Sequence, residues 1–410
     1  MEKPGGLRRK RGDMMKWVFN RLPKTSDPYT AFFSIENALL AREFHGGIPG
    51  YAPTPLADLS GMASRLGLKG LYVKDESPRF DLNAFKVLGA SYAMSRYAAK
   101  ITGRDRLSYD ELISDRFREE VGQLTFFTAT DGNHGRGVAW SARRLGQKAV
   151  VYMPRGTTAP RLRNILAEGA DASIKEYGYD ECVRQAAADA ARTPGSVLMQ
   201  DTAWEGYEEI PLWIMQGYGT LAIEAHLQLR LAGCQKPSHI FIQSGVGSFP
   251  AAMQAYFATR YPSDAPKVII LEASAADCFY RGAEALDGKP RTLEGHFDTI
   301  MAGLACGTPS TIAWDIIKNH SACFISCPDW VAAKGMRMLG FPLRGDPVVI
   351  SGESGAVGMG AIAAIMELDE YKELRDALGI DGDSRVLLFS TEGDTDPEHY
   401  RQVVWNGDQY

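Results

Sequence analysis

The sequence predicts an α/β protein built on mostly parallel sheets with helices covering both faces. Three observations lead there. Short runs rich in Val, Ile, Leu, Phe and Tyr recur along the chain, and they are continuous rather than alternating, as strands buried on both faces are. Longer stretches between them carry apolar residues at helical spacing. The two kinds of segment alternate at lengths that suit crossovers between parallel strands.

In chain order, the first 50 residues read as irregular. Strands are predicted over 70–74, 124–128, 149–153, 196–200, 239–242, 268–272 and 386–390. A long helix is predicted over 87–101 and another over 211–231. Val138, Ala139, Ala142 and Leu145 form one helical stripe, and Leu162, Ile165 and Leu166 form a second. No internal repeat and no low-complexity linker interrupts the pattern, so the α/β units are expected to interweave rather than hang on a tether.

With 410 residues and 45% hydrophobic content, the chain can bury a sizeable core in two or three domains. A net charge of −5 gives no reason to expect nucleic acid as the main partner. The basic run Leu7-Arg8-Arg9-Lys10-Arg11 reads as a solvated tail. No apolar h-region follows it, and no apolar run approaches the roughly 18 residues needed to cross a bilayer, so neither secretion nor a membrane is expected. The six cysteines are scattered, unlike a disulfide scaffold, and a reduced cytoplasmic setting is the default. Cys323 and Cys327 share one face of a further apparent strand, but no second Cys/His pair accompanies them, so no zinc site is expected.

Four segments carry chemistry. Lys86 follows an irregular loop and opens the 87–101 helix, where a cation opposes the helix dipole. Something must compensate, such as a covalent imine or a nearby phosphate. Its apolar neighbours Phe85, Val87 and Leu88 suggest an amine whose pKa burial depresses, which suits a lysine that attacks a carbonyl. The second segment, Thr128-Ala-Thr-Asp-Gly-Asn-His-Gly135, joins a strand to a helix. Gly132 and Gly135 permit close approach of a ligand, and the Asn133 amide can bond a phenolic oxygen. The third, Gln243-Ser-Gly-Val-Gly-Ser248, also links a strand to a helix; its N–H groups and the helix N-terminus can cradle a phosphate. Neither the P-loop pattern nor a full dinucleotide fingerprint is present there. The fourth, Phe389-Ser-Thr-Glu-Gly-Asp-Thr395, ends a strand with hydroxyls able to meet a neutral pyridine nitrogen.

In this order and combination, from about Thr54 to Asp396, the four segments resemble the fold-type II, tryptophan-synthase β-like pyridoxal-phosphate enzymes. Threonine and serine dehydratases of that fold usually carry Ser or Ala two residues before the loop asparagine; here that residue is Asp131. The strings 83–92, 129–140, 301–309 and 389–395 are similar to those of the diaminopropionate ammonia-lyases. The resemblance implies two three-layer α/β/α domains with the cofactor in the cleft between them. The large domain would comprise residues 1–88 and 210–410, with a small domain, 89–209, inserted in it. It further implies pyridoxal 5'-phosphate as cofactor, no metal, a small amino acid as substrate and a homodimer.

Carried over residue by residue, Lys86 would hold the cofactor and Asn133 its ring hydroxyl. Gly245, Val246, Gly247 and Ser248 would hold the phosphate, and Ser390, less readily Thr391, would face the pyridine nitrogen. The implied reaction is α,β-elimination of D- or L-2,3-diaminopropionate to pyruvate and two ammonia. Lys86 would take the Cα proton on one face. Asp131 would attract the β-ammonium and take the Cα proton of the D isomer on the other. Asp201, His134 and Thr130 are further candidates to meet the substrate. Cys278 and Cys306 fall near the expected cleft mouth; free thiols are the simpler expectation, and a pair is the alternative. The rival reading on the same fold is a serine/threonine ammonia-lyase.

Overall fold

The structure is a computed structural model that describes residues 14–130, 132–295 and 297–409; the basic run at 7–11 and Asp131 lie outside them. Its strands form a seven-stranded sheet and a four-stranded sheet. Across the larger sheet the strands run Lys16–Phe19, Cys323–Cys327, Lys267–Ala273, His239–Gln243, Arg385–Ser390, Gly70–Asp75, Leu56–Asp58. The five inner strands are parallel, and the two short edge strands are antiparallel to their neighbours. The smaller sheet is wholly parallel, in the order Asp171–Ile174, Lys148–Met153, Thr125–Ala129, Ser196–Leu198.

The predicted α/β architecture is therefore present, and the continuous apolar runs are the inner strands. His239–Gln243 and Cys323–Cys327 are buried at every position, because helices cover both faces. One such helix, Glu353–Glu367, is buried from Glu353 to Ile365 and backs the strands His239–Gln243 and Arg385–Ser390. The predicted helix over 87–101 is Val87–Ile101.

Three expectations need correction. The first 50 residues are not irregular throughout: they contain the edge strand Lys16–Phe19 and the helix Ile35–Gly46, capped by Ser34. The helix predicted over 211–231 is two helices, Glu209–Gly217 and Gly219–Leu231, broken at Tyr218. At that break Gly217 packs so closely on the Val87–Ile101 helix that a Cβ would stand 2.4 Å from the Leu88 carbonyl oxygen. The strand predicted over 196–200 ends at Leu198, and Gln200 uses its side chain instead, donating to the Ala129 carbonyl at 3.1 Å.

Candidate active site

Parallel strands place their carboxyl ends together, and in open α/β sheets ligands bind there. In this chain four such ends converge. Thr130 follows Thr125–Ala129, Asp201 follows Ser196–Leu198, Ser244 follows His239–Gln243, and Thr391 follows Arg385–Ser390. Thr130, Asp201 and Thr391, together with Lys86 and with Gln243 and Gly245 on either side of Ser244, line one cavity. Of the predicted residues, Lys86, Thr130, Asn133, His134, Asp201 and the whole Gly245–Ser248 loop line it. Asp131 lies outside the described residues.

Lys86 immediately precedes the helix Val87–Ile101. The loop leading to it is strained: Phe80, Asp81 and Asn83 all adopt positive φ, at 51°, 59° and 57°. A buried ion cluster holds that loop. Arg79 donates to Glu76 at 2.8 Å and to Glu224 at 2.7 Å, and Lys74 donates to Glu224 at 2.8 Å. Further along, Arg136 donates to the Leu82 carbonyl at 2.8 Å, and the Ala84 backbone bridges to Glu392.

The amine of Lys86 forms an ion pair with Asp201. The expectation of a depressed amine pKa is thereby corrected. Burial does push the Lys86 amine down, but the Asp201 carboxylate in direct contact outweighs it and holds the amine above its usual value. On Asp201, burial pushes the carboxyl up, while His134 and Lys86 pull it down to about 2. The His134 Nε2 faces the Met199 carbonyl oxygen at 2.8 Å, which fixes the proton on that nitrogen. Its Nδ1 lies 3.7 Å from Asp201 and, among the described residues, has no hydrogen-bond partner.

The 245–248 loop opens the 13-residue helix Ser248–Arg260. Gly247 has φ +96°, and a Cβ there would stand 2.4 Å from the Phe279 ring, so only glycine fits. A Cβ on Gly245 would stand 2.9 Å from the Gly303 carbonyl oxygen. The Ser248 hydroxyl donates to the Asp201 carbonyl at 2.5 Å and so ties this loop to the smaller sheet.

Consecutive residues at a strand end face opposite ways, and here Thr391 lines the cavity. The buried Ser390 hydroxyl donates to the Glu392 carbonyl at 3.4 Å. Gln243 donates to the Thr391 hydroxyl at 2.8 Å and fixes its orientation. No disulfide joins Cys278 and Cys306, and the Cys278 thiol lies 3.8 Å from the Cys306 carbonyl oxygen.

Sequence reasoning missed Gln243, Ser354 and Glu392, which also line the cavity, and Tyr218 beside Lys86. The only local signal was a polar residue closing an apolar strand, as Gln243 does. The cavity suits a polar, phosphorylated ring. Buried polar atoms without partners among the described residues, namely His134 Nδ1, Ser354 Oγ and Glu392 Oε1, await a ligand, and the glycine loop leaves room that a Cβ would fill.

Comparison with known proteins agrees. The family model described as pyridoxal-phosphate dependent enzyme matches residues 48–392. Diaminopropionate ammonia-lyase of Salmonella typhimurium is 47% identical over 401 residues, covering 96% of this chain and 99% of that protein. The crystal structure of the Escherichia coli diaminopropionate ammonia-lyase in complex with D-serine superposes with a TM-score of 0.89 at 44% identity, covering 97% of this chain and 98% of that one. The same enzyme in complex with an aminoacrylate-PLP azomethine reaction intermediate gives a TM-score of 0.86 with the same coverage. The chain thus belongs to the pyridoxal-phosphate-dependent enzymes and, among them, to the diaminopropionate ammonia-lyases, with pyridoxal phosphate as its cofactor.

Proposed function

We propose that the residues of this cavity eliminate ammonia from D- and L-2,3-diaminopropionate, leaving pyruvate and a second ammonia. The observation that carries the reading is the Lys86–Asp201 ion pair, which lines the same cavity as the glycine loop. Bound pyridoxal phosphate supplies the carbonyl that a lysine amine can hold and the electron sink that acidifies a substrate Cα–H.

The chain's own residues do the rest. Lys86 holds the cofactor and, once released, takes the Cα proton on one face. The N–H groups of Gly245, Val246, Gly247 and Ser248 hold the phosphate, aided by the N-terminus of the helix Ser248–Arg260. Asn133 donates to the ring hydroxyl. Ser390, or its cavity-lining neighbour Thr391, would present a hydroxyl to the pyridine nitrogen. Asp201 keeps the Lys86 amine oriented and offers a second carboxylate to the substrate's β-ammonium. Asp131 attracts the same ammonium and takes the Cα proton of the D isomer. His134 and Thr130 shape the substrate end of the cavity. Serine offers no β-ammonium, so it leaves a buried carboxylate without its partner and is turned over less well.

Around this site we assign a large domain of residues 1–88 and 210–410 and a small domain of 89–209. In support, the four strands of the smaller sheet all fall between residues 125 and 198. A homodimer working in amino-acid catabolism in the cytoplasm completes the reading. Exposed apolar side chains such as Leu231, Trp405 and Phe341 support association, and the free cysteines suit a reducing compartment. Among the described residues no helix is long and apolar enough to cross a membrane.

A visible spectrum of the purified protein, combined with turnover of diaminopropionate and serine, tests the reading. We expect a yellow protein whose colour is lost in Lys86→Ala, and a higher kcat/KM for diaminopropionate than for serine. A colourless protein after addition of the cofactor refutes the site, and faster turnover of serine refutes the substrate.

A further inference from the structure

Glu392 stands where none of the roles above uses it. It follows the strand Arg385–Ser390, its backbone bridged to Ala84 in the Lys86 loop and its carbonyl accepting from Gly352 N at 3.0 Å. Its side chain is buried, at 4% exposure, yet lines the cavity. One carboxylate oxygen accepts from the Asn133 amide nitrogen at 2.5 Å. The other is buried and, among the described residues, has no hydrogen-bond partner. A carboxylate that served only to clamp the two sheets together would be expected to satisfy both oxygens.

An asparagine amide has a donor end and an acceptor end of nearly equal shape, so something must choose which end faces which way. An ionised carboxylate accepts and cannot donate. It therefore meets the NH2 end of Asn133, since the reverse orientation would set the amide oxygen against the carboxylate. The NH2 group has two hydrogens, and one is spent on Glu392. We propose that Glu392 is a positioning residue that fixes the Asn133 amide so that its second N–H is turned into the cavity, toward the ring oxygen of the cofactor. This rests on the role given to Asn133 above.

The neighbouring carboxyl fits this arrangement. Glu353 is buried, and burial together with the adjacent Glu392 charge pushes it up to about 7, with His399 at 3.4 Å from its other side. A proton on Glu353 would ease the repulsion between the two carboxyls. Glu392→Gln is the sharp test, because a glutamine amide has the same shape but can face either end of Asn133.

The experiment compares wild type, Glu392→Gln, Asn133→Ala and the double variant. It reads the position of the bound cofactor's absorption band, the cofactor Kd, and the melting temperature of the cofactor-free protein. We expect Glu392→Gln to shift the band and raise Kd about five- to tenfold, as loss of one oriented hydrogen bond would, with the melting temperature unchanged. The double variant should match Asn133→Ala alone. Glu392→Asp, which keeps the charge but shortens the reach, should shift the band in the same direction. An unchanged band in Glu392→Gln, or effects that add in full to those of Asn133→Ala, overturns the inference and leaves the role of Asn133 intact. An unchanged band in Asn133→Ala overturns that role and the inference with it.

Discussion

At the scale of single residues, the chemistry of the site lies in pairs that the chain brings together from far apart. Lys86 and Asp201 are 115 positions apart, yet their contact decides the charge of the amine. Burial works against that charge and the Asp201 carboxylate works for it. Asp201→Asn removes the second influence and leaves the first, so the Lys86 amine should titrate lower by about one to three pH units. NMR titration of a 13C-labelled Lys86 side chain in the cofactor-free protein reads this directly; a midpoint that does not fall would mean that Asp201 does not govern the amine. Lys86, Asn133 and the 245–248 loop were legible in the sequence because their identities and local spacing are themselves the signal. The Lys86–Asp201 contact, the place of Thr391 on the cavity wall and the position of Glu392 were not. Each depends on which strand end meets which, and on which way a side chain leaves its strand.

At the scale of elements, the site depends on helices that approach unusually closely. The helix Asn133–Arg144 packs against the start of the helix Val87–Ile101. A Cβ on Gly137 would stand 2.9 Å from the Val87 nitrogen and 3.0 Å from the Lys86 carbonyl carbon. Both neighbours are backbone and cannot rotate away. Gly137→Ala should therefore move the Lys86 backbone itself, at a cost of about 1–3 kcal/mol in stability. Activity should fall through kcat more than through KM, because the displaced amine serves the chemistry and not substrate capture. Denaturant unfolding and steady-state kinetics check the two parts, and an active, equally stable variant would show that the contact is looser than drawn. The Val87–Ile101 helix was readable because its apolar positions repeat strongly and it is buried on most sides. The helix Ile35–Gly46 was not, since Leu39 on it is exposed while His45 is buried, which blurs the apolar stripe. The short edge strands Lys16–Phe19 and Leu56–Asp58 carry too few buried residues to declare themselves.

At the scale of the whole molecule, parallel inner strands and covering helices were legible because burial on both faces leaves continuous apolar runs. Strand order was not, because every inner strand looks alike in composition. The same burial traps ionisable groups and so sets how stability depends on pH. Burial, aided by nearby arginines, pushes His45 down to about 3 and His226 to about 4 from 6.5. In Glu224, burial acts upward but Arg79 and Lys74 pull the carboxyl down from 4.5 to about 2. For all three the unfolded chain binds more protons, so stability is lost as pH falls, from about 6.5 for the histidines and from about 4.5 for Glu224. Glu272 and Glu353 act in the opposite direction. Burial raises Glu272 from 4.5 to about 8, even though it accepts from Phe279 N at 2.8 Å and Tyr280 N at 2.7 Å, and raises Glu353 to about 7. There the folded chain holds the extra proton, so stability is lost as pH rises from about 4.5 to 8. The two trends oppose each other between pH 4.5 and 6.5 and act alone outside that range. Stability should therefore be greatest within that window and decline on both sides. Glu272→Gln, whose single amide oxygen can accept from only one of Phe279 N and Tyr280 N, should lower stability throughout but flatten the decline on the alkaline side. Denaturant midpoints measured across pH for both proteins test this; a wild-type midpoint that climbs steadily from pH 4.5 to 8 would mean that Glu272 and Glu353 are ionised in the folded chain.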